Sequence, residues 1–180
     1  MENKERLMNS ILERLLQEEK WEGLAQQSIV FLKQKERPLE AWGYYARAQL
    51  EMGNFQAAVG GYEKIILDRS SADLRFGYAQ SLIGVGEFQK AKEILHSLLS
   101  QNDFHEELYF GLAVIARAED EPQEGVALLH QIEPLDFEQG LLLGHLYRDQ
   151  QMYTEALLSY QQALSLNPKH QILQESVQEV

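Results

Sequence analysis

The chain's 180 residues are enough for one domain of ordinary size, and a 44% hydrophobic share supplies a packed core and argues against disorder. Acidic residues outnumber basic ones 28 to 16, for a formal net charge of −12, so the surface repels nucleic acid phosphate and anionic lipid. Cysteine is absent, which removes disulfides, thiolate metal sites and a cysteine nucleophile together.

The first residues, Met1-Glu2-Asn3-Lys4-Glu5-Arg6, lead into an amphipathic stretch without the apolar segment of a secretory signal. No apolar run approaches the roughly 18 residues of a spanning helix. These features predict a soluble, cytoplasmic chain with no membrane insertion.

Apolar residues recur at spacings of three, four and seven, the helical pattern, and no stretch alternates with a period of two. In chain order the pattern predicts helices near 5–18, 21–34, 39–52, 55–68, 72–84, 88–100, 104–118, 122–133, 137–149 and 153–166. These form five pairs, and the second helices start in register. Trp21, Phe55, Phe88, Pro122 and Tyr153 are offset by 34, 33, 34 and 31 residues. Three residues after each comes Leu24, Ala58, Ala91, Gly125 or Ala156.

The turns carry matching signals. Gly53-Asn54 and Gly86-Glu87 offer a left-handed stop followed by a polar start. Ser70 with Asp73, Asp103 with Glu106 and Asp136 with Gln139 have capping-box spacing ahead of first helices. Pro38 and Pro168 stand where a first-turn proline costs no hydrogen bond, with Asn167 as a cap before the second. Beyond Pro168, the apolar residues Ile172, Leu173, Val177 and Val180 share one face. They predict a closing helix over 169–180 that covers the last repeat.

The series Trp42, Ala46, Gly53, Phe55, Ala58, Tyr62 and Ile65 resembles the tetratricopeptide repeat. So, more closely, does Gly144, Tyr147, Tyr153, Ala156, Tyr160, Ala163 and Pro168. Small residues (Ala46, Ala58, Ala79, Ala91, Ala113, Gly144, Ala156) fall where two helices cross closely, and aromatics fill the adjacent holes. The resemblance implies an all-α, right-handed superhelical solenoid of about five antiparallel helix pairs with a C-terminal capping helix, as a single domain over 1–180. Its repeats would be 5–37, 39–69, 72–101, 104–133 and 137–168. The first is degenerate, because Leu12 and Leu24 replace small residues at the crossing, and the fourth departs through Pro122 and Gly125.

No constellation for catalysis is visible. Gly84-Val85-Gly86 lacks the strand and helix of a phosphate loop. The histidines at 96, 105, 130, 145 and 170 form no i, i+4 metal pair, and the single Glu93-x-x-His96 step lacks the partner step a di-iron bundle requires. The chain is therefore expected to be non-enzymatic, with no cofactor and no metal.

The family resemblance implies that first helices line a concave groove and contact a ligand there. The groove-facing set is Tyr44, Arg47, Phe76, Gln80, Phe110, Val114, Arg117, Leu141, His145 and Arg148. Between residues 101 and 168 the only basic side chains are Arg117 and Arg148, and both fall in that set. An arginine-bearing groove suits a peptide with apolar anchors and carboxylates. Two other assignments stay open at this point: the arginines bridge to Glu107, Glu138 or Asp149, and Phe76 and Phe110 pack in the core. The lysine and asparagine set of carboxylate-clamp members is not matched, since Asn9, Glu13, Arg47 and Gln80 hold those places. The expected function is a protein-binding adaptor or client-specific chaperone that holds a peptide segment. The alternative is a self-associating scaffold subunit, including a chaperone of the secretion-system kind, with a homo-oligomer as one outcome.

Overall fold

The computed structural model describes residues 2–34, 38–101 and 105–170. Ten helices and no strand occur among them: α1 (Glu2–Gln17), α2 (Trp21–Leu32), α3 (Glu40–Glu51), α4 (Phe55–Ile65), α5 (Ala72–Val85), α6 (Phe88–Leu99), α7 (His105–Ala118), α8 (Pro122–Leu129), α9 (Phe137–Asp149) and α10 (Tyr153–Leu166). The all-α architecture of five helix pairs read from the period is the observed one. Two second helices end early, α4 at Ile65 and α8 at Leu129. The closing helix expected over 169–180 lies outside the described residues from 171 onward, and residues 168–170 form a turn.

Each pair is joined by the same turn. One or two residues past the first helix the chain adopts positive φ, at Glu19 (52°), Gly53 (73°), Gly86 (81°), Asp120 (63°) and Gln151 (60°). The next residue then donates its N–H back five residues. Lys20 donates to Leu15, Asn54 to Gln49, Glu87 to Leu82, Glu121 to Ala116 and Met152 to Tyr147, at 2.8–3.0 Å. These bonds satisfy carbonyls that the helix end leaves without a partner, which is why five different sequences close alike.

First-helix starts are more individual. Asp136 accepts from Gln139 N at 2.8 Å while the Gln139 side chain accepts from Asp136 N at 3.0 Å, a complete capping box. Ahead of α5 the capping residue is Ser71 and not Ser70. Ser71 is extended (ψ 159°), and its hydroxyl accepts from Leu74 N at 3.4 Å. The Asp103 cap falls outside the described residues.

Contacts group into two compact units, residues 1–98 and 99–180. In the first, α1 to α5 pack in sequence, and first helices also meet through α1 with α3 and α3 with α5. The Arg75 guanidinium ties α5 to α6 by donating to Ser97 Oγ at 2.7 Å. In the second, α7 to α10 pack in sequence and α7 meets α9. The small residues expected at crossings, from Ala46 to Ala156, are all buried. Leu12 and Leu24 are fully buried as well, so the first pair closes on leucine instead of alanine.

Candidate functional site

In the first unit the first helices border a cavity of about 800 Å³. Leu16 and Gln17 of α1, Tyr44 and Arg47 of α3, and Asp73 and Leu74 of α5 face it, with Tyr62 of α4 and Trp21 of α2 at its walls. The expected pair Tyr44 and Arg47 therefore lies together on one concavity. Burial raises the Tyr44 phenol above its ordinary value, and the carboxylates of Glu13 and Glu40 push it the same way, so Tyr44 stays a hydrogen-bond donor. Arg47 pairs with Glu51 at 2.7 Å on its own helix, and Arg69 pairs with Glu40 at the rim. Burial pushes Tyr62 to about 12, with Arg47 opposing and Glu51 assisting. Phe76 and Gln80 are half-buried on α5 and do not line this cavity.

The second unit brings together two partly exposed cations of its first helices. Arg117 Nε of α7 donates to Asp149 Oδ2 at 2.7 Å, and Arg148 Nε stands 4.0 Å from Asp149 Oδ1. Of the three carboxylates open to the arginines by spacing, Asp149 is the one used. Beside them the His145 ring is half-buried, with Nδ1 2.7 Å from the Tyr160 hydroxyl. Burial first, and then Arg117 and Arg148, lower His145 to about 4, with Asp149 opposing. Burial raises Tyr160. A phenol O–H donating to an unprotonated Nδ1 fits both shifts, which puts the imidazole proton on Nε2. The ring is thus neutral at physiological pH, and the guanidiniums are the cations of this face.

The apolar members of the expected set sit deeper. Phe110 and Val114 pack against the cluster of Ala113, Leu129, Ile132, Leu142, Leu143 and Leu146, and Leu141 packs against Ala156, Tyr160 and Ala163. Each remains partly exposed. Sequence reasoning missed Tyr160, a second-helix residue whose hydroxyl reaches α9. The signal was available in Tyr62, which stands 98 residues earlier at the same place in the repeat. Among the described residues, no group of three or more His, Asp or Glu side chains is placed to hold a metal ion, and no helix is long and apolar enough to cross a membrane.

The fold is that of known solved structures. A thermophilic TPR protein of Thermus thermophilus superposes with a TM-score of 0.73 at 18% identity, covering 97% of both chains. MamA from Desulfovibrio magneticus gives 0.73 at 14% identity, covering 92% of this chain and 96% of that one. YrrB, described as a TPR protein with an unusual peptide-binding site, gives 0.68 at 14% identity, covering 94% and 89%. Residues 141–170 match the family model of the tetratricopeptide repeat.

The last repeat matches the tetratricopeptide repeat by sequence, and the fold is that of solved tetratricopeptide-repeat proteins.

The matched stretch is the one whose residues resemble the repeat most closely, from Gly144 through Pro168. No curated protein matches the sequence as a relative. Within the tetratricopeptide frame, Arg47, Gln80, Val114 and His145 each follow the small crossing residue of their own first helix by one position. Arg117 and Arg148 lie three positions further along theirs.

Proposed function

We propose that this tetratricopeptide-repeat chain is a non-enzymatic protein-binding module that holds a peptide segment of a partner against its first helices. The observation that carries the reading is the cavity of about 800 Å³ in the first unit, walled by side chains of α1, α3 and α5. Its walls combine aromatic and aliphatic surface with phenol and guanidinium donors, the composition of a specific binding surface. In the second unit Arg117 and Arg148 share a single carboxylate, Asp149, so the cluster of three keeps one positive charge. That excess favours a partner with a carboxylate beside its apolar anchors. The full contact set of the proposal is Tyr44, Arg47, Phe76, Gln80, Phe110, Val114, Arg117, Leu141, His145 and Arg148.

The test is site-directed photo-crosslinking. A photoreactive residue replaces Tyr44 or Leu141 on first helices, and the exposed second-helix residue Gln56 serves as control. Partner adducts from the first two, lost on adding Arg117→Glu and Arg148→Glu with helicity retained, support the module. Adducts from Gln56 alone, or capture that the double reversal leaves unchanged, overturn the assignment. Sedimentation at several concentrations distinguishes the scaffold reading, in which the adduct is a second copy of the chain.

A further inference from the structure

The last turn of α2 reads Ile29-Val30-Phe31-Leu32, four consecutive apolar residues. At 100° per residue such a run points to every side of a helix, so one neighbouring surface cannot cover it. Phe31 and Leu32 pack against the buried cluster of Met8, Leu12, Leu24, Ala25, Ala41 and Ala48, whereas Ile29 is 37% and Val30 52% exposed. Beside them opens a cleft of about 480 Å³ walled by Ile29, Leu32, Trp42 and Tyr45, with Lys33 and Lys64 at its rim. Trp42 and Tyr45 meet edge to face at 5.8 Å. The indole N–H has no acceptor among the described residues, and neither lysine has a carboxylate there within ion-pair distance. No residue of this cleft lines the first-helix cavity.

Two unpaired ammonium groups beside an aromatic wall reverse the sign of a surface whose chain carries −12 overall. We propose that this cleft is a second docking site, taking an acidic amphipathic helix of a partner protein. A leucine or phenylalanine enters between Ile29, Leu32 and the two rings, and flanking carboxylates meet Lys33 and Lys64. The chemistry selects this occupant over others. A phosphate-rich polymer leaves the apolar wall uncovered and meets the full repulsion of the acidic chain, while a second copy brings another −12. A short helix with two or three carboxylates meets little repulsion and covers the wall. Tryptophan and tyrosine are also the side chains that carry most binding energy when a partner seals them from water.

The experiment uses Trp21→Phe, which leaves Trp42 as the sole tryptophan. The probe is an acetylated, amidated helical peptide that alternates leucine pairs with glutamate pairs, with a glutamine-for-glutamate version as control. The expected result is a saturable blue shift of Trp42 emission, about tenfold weaker both for the glutamine peptide and for Lys33→Glu/Lys64→Glu. Arg47→Glu, in the first-helix cavity, leaves the titration unchanged, so this site and the groove succeed or fail separately. The proposal is overturned by a silent Trp42 at millimolar peptide, by equal response in the charge-reversed protein, or by concentration-dependent self-association that buries Trp42 without peptide. Lys33 and Lys64 are exposed, so their reversal leaves the fold intact, and circular dichroism checks this.

Discussion

The Tyr160 hydroxyl lies 2.7 Å from Nδ1 of His145, and both groups sit where burial favours their neutral forms. The consequence is a dependence of stability on pH. The His145 value falls from its ordinary 6.5 to about 4 on folding, first through burial and then through Arg117 and Arg148. Above 6.5 the ring is neutral in both states and its contribution is complete. Between 6.5 and about 4 the unfolded chain takes up a proton that the folded chain refuses, so stability declines as pH falls through this window. Melting temperature followed from neutral pH downward should show this decline, and His145→Gln should remove part of it. The difference between the two proteins isolates the ring from the many carboxylates. A ring titration by NMR with its midpoint above 6 would sink the assignment.

Three of the five intra-pair turns use a non-glycine residue at positive φ, namely Glu19, Asp120 and Gln151. A side chain there crowds the following carbonyl, at a cost of about 1 kcal/mol or more per position. Glycine at any of the three should therefore raise the urea midpoint, by about 0.5–1 kcal/mol of stability once the added freedom of the unfolded chain is discounted. Alanine at Gly53 or Gly86 should lower it by a similar amount.

Those turns also mark how far the sequence is legible. The two glycines announced their conformation, whereas Glu19, Asp120 and Gln151 did not, because what fixes them is the pair of backbone bonds closing the helix and not the residue. Helix periods were readable because core positions repeat, but they track burial and not hydrogen bonding. Ile132 is 1% exposed yet lies three residues past the end of α8, so the apolar pattern overran the helix. The capping serine ahead of α5 was one residue off, since Ser70 and Ser71 are chemically alike and only backbone direction separates them. Tyr44 and Arg47 were recognisable as a pair because they share one helix. The choice of Asp149 for Arg117 was not readable, because it depends on how α7 and α9 lie side by side.

The two observed caps rank their own removal. Asp136 takes part in a reciprocal pair at 2.8 and 3.0 Å, while Ser71 accepts a single bond at 3.4 Å. Asp136→Ala should cost about 1–2 kcal/mol, and Ser71→Ala no more than about 0.5 kcal/mol. Chemical denaturation of both variants checks the order. An equal cost would mean that the second bond of the box adds nothing.

Gly77 sits under the Tyr62 phenol, where an added Cβ would come within 2.2 Å of the hydroxyl oxygen and 2.6 Å of the ring carbon that bears it. Tyr62 is 2% exposed and cannot swing into solvent without leaving the core it shares with Ala46 and Ala58. In an open helix Gly→Ala would stabilise by about 1 kcal/mol. Here overpacking exceeds that gain, and Gly77→Ala should destabilise by about 1–3 kcal/mol. The nearest clash is with the hydroxyl, so Tyr62→Phe should rescue part of the loss in a double-mutant cycle, with the ring carbon accounting for the remainder. A coupling near zero would show that the phenol is not what holds α4 against α5, and that position 77 tolerates a methyl by some other movement.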